Sequence, residues 1–496
     1  MGHLDHKVYG NFVGGAEVAA TSGETFPSIN PTTGEQWCDF ALSSDADVNR
    51  AVRDAHAAFV GPWGRMSPTE RGKRVAKWGE LIAANADRIA TIESTQNGKL
   101  FTEMKLQATI SEDWLRYYGG LADKIEGSVI PLARQSVFNY TLREPIGVVA
   151  VITAWNSPTF LNIMAAAPAL AAGNAIVLKP SEITSASAVE IARLAVEAGI
   201  PEGVVNIVTG LREAGEALID HPLVRKVSFV GSVAAGREIG ARAGRRLITS
   251  TLELGGKSPN IVFGDADLDL AEIGVLAGIF AAAGQTCVAG SRAYIHASVY
   301  DELLSRLVSR AQAIKLGDPL KSDTQMGPVA TRAQWDKDER MVAQAVDSGA
   351  ELLAGGRKTQ LDGFPNGQFF EPTVLGVSDR ANPILKDEVF GPVLAVSRFE
   401  NDEEVVDLAN DTEFGLAAGV WTRDLRRAHS MARALQAGTI WINTYRAMAF
   451  NSPFGGYKSS GTGRNNGIEA INQYLQTKSV WCELASEAQD PFVLRA

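Results

Sequence analysis

Apolar residues recur at three- and four-residue spacings across 47–59 and again across 70–93. Each stretch follows a Ser/Asp or Ser-Pro start signal, so two helices are predicted within residues 45–116. The segment "SVFNYTLREPIG" (136–147) alternates apolar and polar positions and ends in Pro-Ile-Gly, a strand followed by a break. From 147 a different rhythm begins. The apolar runs "GVVAVIT" (147–153), "NAIVLKP" (174–180), "VVNIVTG" (204–210) and "KVSFVG" (226–231) alternate with helical patterns at 158–172, 185–198 and 214–220. Strands apolar on both faces, separated by helices, predict a parallel sheet covered on each side. Ligands of such sheets bind at the carboxyl ends of the strands, where Trp155, Asn156, Lys179, Gly210, Gly231 and Ser232 fall.

A second series follows "TLELGGKSPNIVF" (251–263). It comprises a helix at 268–282, a turn containing Cys287, the strand "AYIHA", and helices at 300–314 and 331–348. The strand "AGTIWINT" (437–444) precedes an irregular stretch to Gly467, and "TKSVWCEL" (477–484) is the last strand before a polar tail. The most apolar region, 147–178, is interrupted by Asn156, Pro158, Pro168, Gly173 and Asn174, which argues against a membrane span.

A chain of 496 residues implies two or more lobes, and 45% hydrophobic against 21% charged residues is the balance of a globular protein. The formal net charge of −10, with no Lys/Arg tract, gives no footprint for nucleic acid or anionic lipid. Three scattered cysteines (38, 287 and 482) and six histidines without HxxxH or HxH spacing point away from disulfides and metal and fit a reducing compartment. The start, MGHLDHKVYGNF, lacks the layout of a signal peptide and is expected to be mature cytosolic sequence.

Cys287 sits in "GQTCVAGSR" among small residues that leave a sulfur approachable, although a lone cysteine commonly packs as a small hydrophobe. A thiol nucleophile needs a base. His296, in the following strand, is a candidate for a Cys-His hydrolase. Glu253, in "LELGGK", is flanked by Leu252 and Leu254, and desolvation there raises a carboxyl pKa toward general-base use; a salt bridge or cap is the alternative. Asn156, in "AWNSP", is placed either to donate to an oxyanion or to cap the proline-started helix. In "LKPSE", Lys179 and Glu182 have the spacing to bond ribose hydroxyls, with Glu182 repelling a 2′-phosphate, or they belong to a solvated loop. Gly231 and Ser232, before a helix start, offer backbone N–H groups to a pyrophosphate. "EVFGPV" supplies Glu388 and Phe390, or is a strand-edge turn with a core ring.

Taken in order, "AWNSP", "LKPSE", "FVGS", "LELGGK", "GQTCVAGSR", "EVFGPV" and "SPFGGYKSSG" resemble the aldehyde dehydrogenase superfamily over about residues 8–485. The resemblance implies an α/β fold in three parts. A variant Rossmann NAD(P)-binding domain would take 1–125 and 146–255, an α/β catalytic domain 256–465, and a small bridging β element for oligomerisation 126–145 and 466–496. It implies attack by Cys287 on an aldehyde, an oxyanion held by the Asn156 amide and the Cys287 N–H, and hydrolysis of the resulting thioester with Glu253 as base. Glu388 would bind the nicotinamide ribose, Phe390 would border the nicotinamide, and Lys179 with Glu182 would hold the adenosine ribose. Ile152, Thr153, Trp155, Gly215, Gly231, Ser232 and Leu254 complete the cofactor set. The presence of Glu253 points to release of a free acid rather than transfer to coenzyme A.

The implied cofactor is NAD, with NADP as the alternative, and the implied partners are a small aldehyde and further copies of the chain, as a homodimer or homotetramer. Substrate contacts would come from Ser157, Phe160, Met164, Thr286, Val288, Arg446, Met448 and Phe454. The chain departs from the family pattern at Asn465, usually a glutamate, and at Ser157, often an aromatic. Together with Arg446 and Met448, Ser157 suggests a polar or acidic, semialdehyde-like substrate. The rivals are a cysteine-dependent esterase or thiol hydrolase, and a binding protein retaining the fold; the latter would be expected to have lost Cys287 or Glu253.

Overall fold

The computed structural model describes residues 7–486 and Phe492. The N-terminal start at residues 1–6 and the outer part of the element expected at 466–496 lie outside the described residues.

The parallel sheet centres on Val148–Ile152, whose five residues are all buried. On one side lie Ala175–Lys179 and Val205–Ile207; on the other lie Val224–Val230 and Thr249–Glu253. These five strands are parallel. Short antiparallel strands, Asn11–Val13 with Ala16–Val18 and Gly461–Thr462, complete eight. Every residue of the helix Pro158–Ala171 is buried, because it lies between this sheet and the helices before it. The strand order reverses between Val148–Ile152 and Val224–Val230. That reversal opens a crevice above their carboxyl ends, between the turn at 153–157 and Gly231–Ser232.

A second, seven-stranded sheet runs Glu351–Ala354, Thr373–Gly376, Val393–Phe399, Arg292–His296, Pro259–Val262, Ala417–Trp421, Thr439–Ile442, parallel except at its first pair. A third pairs Leu475–Glu483 with Val137–Pro145 over nine residues, with Val129–Ile130 beyond. Leu475–Glu483 is the edge of this sheet, and its Trp481 is 64% exposed.

The structure differs from the periodicity at several points. The helix expected at 70–93 is two, Pro68–Ala84 and Ala86–Asn97, which meet at Asn85, where φ −104° and ψ 15° depart from helix and the side-chain amide donates to the Leu81 carbonyl at 2.8 Å. A further helix, Phe101–Leu121, was not anticipated; it buries Met104, Ala108, Trp114, Leu115 and Tyr118, a stripe diluted in sequence by the charges between them. The helix expected to reach 282 ends at Ile279. The stretch before Gly467 contains Tyr457–Lys458 and Gly461–Thr462, the latter pairing Gly461 with Glu253 and so covering the strand that carries that carboxylate.

Candidate active site

The crevice holds two cavities. One, of about 190 Å³, is lined by Asn156, Glu253, Leu254, Cys287, Glu388 and Phe390, among others. The other, of about 520 Å³, is lined by Ile152, Thr153, Lys179, Glu182 and Gly215, among others. Ala154, Trp155, Val230, Gly231 and Ser232 form walls of both, so the two make one cleft along the switch point.

Cys287 occupies the second position of a turn closed by the Ala289 N–H on the Thr286 carbonyl at 3.0 Å. Burial pushes its thiol up to about 12, reinforced by the charges of Glu253 and Glu388; Lys99 and the Val288 N–H act in the opposite sense. The thiol is therefore protonated at neutral pH and needs a base. His296 is not that base. Its ring hydrogen-bonds Ser298 at 2.8 Å and stands edge-on to Phe399, at the far end of its strand from Cys287.

Glu253 ends its strand 4% exposed, and neither carboxylate oxygen has a hydrogen-bond partner among the described residues. Desolvation raises its pKa well above the ordinary carboxylate value, with the Arg464 charge opposing. A buried, unpaired carboxyl group near a protonated thiol is equipped to move protons. Salt bridging or capping, the alternatives for this residue, are not what the structure contains.

Asn156 is 5% exposed, and its Nδ2 donates to the Gln285 carbonyl at 3.1 Å. An amide nitrogen carries two N–H groups, so one remains for a ligand. Ser157, not Asn156, is the cap residue of Pro158–Ala171.

Glu388 accepts the Gly256 N–H at 2.9 Å, and burial raises its pKa. Its carboxylate lies against Gly255 so closely that a Cβ there would come within 2.4 Å of it. Phe390, at φ +64°, sets its ring edge-on to Trp155 at 5.4 Å. Lys179 is 5% exposed, bonding the Pro180 carbonyl at 3.1 Å with the Glu182 carboxylate 3.8 Å away. Burial lowers its pKa.

One expectation is corrected here. The Gly231 N–H donates to the Glu253 carbonyl at 3.0 Å and is not free for a phosphate, because the main chain continues the sheet ladder one residue past the strand. Ser232 caps the helix Val233–Arg245, its hydroxyl accepting from Ala235.

The residues expected to meet substrate are not among those that line the two cavities. Val288 and Phe454 pack with Trp441 beside Cys287, and Tyr445 donates to the Val288 carbonyl at 3.0 Å. Thr286 belongs to the Cys287 turn, and Ser157 lies 3.5 Å from the ammonium of Lys99. Arg446, at φ +62°, donates to the Ala277 carbonyl at 3.2 Å, and Met448 is 38% exposed. Phe160 is edge-on to Trp114 at 4.9 Å, and Met164 lies inside the main apolar core at 2% exposure. Asn465 is buried, and its two backbone hydrogen bonds to Phe454, each 2.7 Å, fix the loop beside the cleft.

Several lining residues escaped the sequence reading. Gln334 and Lys337, one helical turn apart on Arg332–Asp347, close the smaller cavity, and Gln334 holds the Val389 carbonyl at 2.8 Å. The i,i+3 spacing of the two in "RAQWDKDER" was the available signal. The larger cavity is rimmed by Arg212, Glu216, Glu238 and Arg242, in which both arginines already pair with carboxylates.

The aldehyde dehydrogenase family model matches residues 18–480. The chain belongs to the aldehyde dehydrogenase family. It is 44% identical over 476 residues, covering 95% of this chain and 96% of the relative, to (Z)-2-((N-methylformamido)methylene)-5-hydroxybutyrolactone dehydrogenase of Acinetobacter baylyi. It is 41% identical to betaine aldehyde dehydrogenase of Brucella anthropi over 475 residues, 96% of this chain and 97% of that one. Among solved structures, the NAD+ complex of aldehyde dehydrogenase from Bacillus cereus is similar at a TM-score of 0.94 and 39% identity, covering 96% of this chain and 97% of the other. Aldehyde oxidation is thus the reaction class of this aldehyde dehydrogenase fold. Among the described residues no helix is long and apolar enough to cross a membrane, and no group of three or more His, Cys, Asp or Glu side chains could hold a metal ion.

Proposed function

We infer that the chain oxidises an aldehyde to the free carboxylic acid with NAD+, through a covalent intermediate on Cys287. The observation that carries this reading is that Cys287, Asn156, Glu253, Glu388 and Phe390, from four separate stretches of sequence, line one cavity continuous with a second cavity beside Lys179.

The residues present fit a dinucleotide. The cleft spans the switch point of a parallel sheet, its inner end is cradled at Gly255 against Glu388, and its outer end presents Lys179 and Glu182. Glu388 and Phe390 would hold the nicotinamide end, while Lys179 and Glu182 would hold the adenosine ribose. The Glu182 carboxylate, beside Lys179 at this end, disfavours a 2′-phosphate and supports NAD over NADP. Bound there, the cofactor supplies the hydride acceptor.

Cys287 attacks the aldehyde carbonyl after giving up its proton to Glu253 or to water held by it. The free N–H of Asn156 and the Cys287 backbone N–H stabilise the oxyanion. Loss of hydride leaves a thioester on Cys287. Glu253, once it has released the thiol proton to solvent, takes a proton from the water that cleaves the thioester and passes it to the departing sulfur, which returns the thiol and releases the acid.

The Ser157 hydroxyl, 3.5 Å from the Lys99 ammonium, and the charge of Arg446, which acts on that buried lysine, support a polar or acidic aldehyde as substrate. The eight-stranded sheet serves as the cofactor domain, the seven-stranded sheet as the catalytic domain, and the edge strand Leu475–Glu483 as the surface that joins copies of the chain. The test is direct: protein, NAD or NADP, and a panel of semialdehydes and of aromatic and aliphatic aldehydes, with reduced nicotinamide followed by absorbance. No signal with any pair overturns the reading.

A further inference from the structure

The residues just before Cys287 adopt a conformation that their side chains disfavour. Ala282 and Ala283 lie at φ +57° and +51°, followed by Gly284 at +70°. Left-handed backbone is sterically costly for alanine, and a run of it persists only where the surroundings impose it. Three contacts do so. The Gly284 backbone meets Gly391 so closely that a Cβ would come within 2.0 Å of the Gly391 carbonyl oxygen. Gln285 ties the turn to the Ala330 N–H, accepted by its Oε1 at 2.9 Å. The Ala282 N–H donates to Oε1 of Glu103 at 3.2 Å.

Glu103 comes from the first turn of Phe101–Leu121, remote in sequence, and its other oxygen is buried without a partner among the described residues. The segment leading into that helix also grips the opposite wall of the cleft. Glu93 accepts the Thr159 N–H at 2.7 Å, Asn97 donates to the Trp155 carbonyl at 3.2 Å, and the Lys99 ammonium lies 3.5 Å from the Ser157 hydroxyl. One stretch of chain, 93–103, therefore touches both the turn that carries Asn156 and the turn that leads to Cys287.

We propose that Glu103 is a positioning residue for Cys287: by holding the Ala282 N–H it keeps the left-handed turn in place, so that the sulfur stays in register with the Asn156 amide. This rests on the reading of Cys287 as the nucleophile. Glu103 acts through the Ala282 backbone and touches neither the sulfur nor a substrate.

The experiment compares Glu103→Ala and Glu103→Gln with the wild type in two measurements. One is the rate at which iodoacetamide alkylates Cys287, read by mass spectrometry of its peptide. The other is steady-state oxidation of the best aldehyde with NAD. Misplacing a reacting atom by an ångström costs up to about a hundredfold, so Glu103→Ala is expected to lower kcat about tenfold or more and to alter the alkylation rate about fivefold or more. KM for NAD stays within about twofold, because the cofactor cavity is not lined by Glu103. Glu103→Gln, whose amide oxygen accepts the same N–H, keeps kcat within about threefold of the wild type. If Glu103→Ala fails to fold, Glu103→Asp, one methylene too short to reach, takes its place.

Wild-type kcat and alkylation rate in the Ala or Asp variant overturn the proposal, and so does a Gln variant as defective as Ala. Alkylation needs neither aldehyde nor NAD. A wild type that reduces no cofactor therefore refutes the proposed function, while the alkylation comparison still decides the role of Glu103.

Discussion

The Asn156 amide donates to the main-chain carbonyl of Gln285, two residues before Cys287, and so links the turn after the central strand to the turn that presents the thiol. This hydrogen bond ties the two turns together at the point where chemistry is proposed. Asn156→Ala removes the proposed oxyanion donor and also takes away the amide that pairs the Gln285 carbonyl. The expected result is a fall in kcat of about 10²–10³, with a stability loss of about 1–3 kcal/mol in chemical denaturation. Cys287→Ser should abolish turnover while leaving NAD affinity, measured by calorimetric titration, within about twofold of the wild type.

Glu253→Gln separates acylation from deacylation. The thioester on Cys287 should accumulate and appear as an acyl mass on the intact protein after mixing with aldehyde and NAD. The same variant has a stability signature. Because the folded-state pKa of Glu253 is raised, the carboxyl contributes fully below its ordinary value of 4.5, and that contribution is lost as pH rises through the folded value. Glutamine stays neutral throughout. The variant should therefore be more stable than the wild type at pH 8, and the gain should shrink toward pH 5. Equal stability at both pH values would sink this account of the carboxyl group.

Gly255→Ala tests the inner end of the cleft. The added methyl would meet the Glu388 carboxylate, which is held by the Gly256 N–H, so the carboxylate must move out of the position proposed for the nicotinamide ribose. KM for NAD should rise by about tenfold or more, an energy of about 1.4 kcal/mol. Esterase activity that needs no cofactor should change by less than about twofold.

Arg446→Ala tests the substrate class. If the cationic side of the cleft selects an acidic aldehyde, kcat/KM for acidic aldehydes should fall about tenfold while that for neutral aldehydes of equal length holds within about twofold. An equal fall for both classes would assign Arg446 to loop structure through its bond to the Ala277 carbonyl.

The parts of this site that sequence made legible are those whose function and backbone setting lie in the same few residues. Apolar runs ending in turn residues located the carboxyl edge of the sheet, and "LELGGK" placed Glu253 at a strand end beside its glycines. What stayed hidden depends on approach across the chain. Alanine favours helix, so 268–282 read as one helix; only contacts from Glu103, Gln285 and Gly391 turn Ala282 and Ala283 left-handed. His296 was a candidate base by proximity in sequence, yet its strand carries it away from Cys287 toward Ser298. Gly231 was expected to offer an N–H that the adjoining strand, unseen in a linear reading, had already taken.

The nine-residue strand Leu475–Glu483 shields Val137–Pro145 along its whole length. A chain cut before Leu475 would gain nothing in simplicity. It would transfer an uncovered edge from one strand to its neighbour, placing the already exposed Phe138 and Leu142 on a ladder with free N–H and C=O groups. Trimmed versions of this protein should therefore precipitate where the longer chain stays in solution, even if both sheets of the cleft fold correctly.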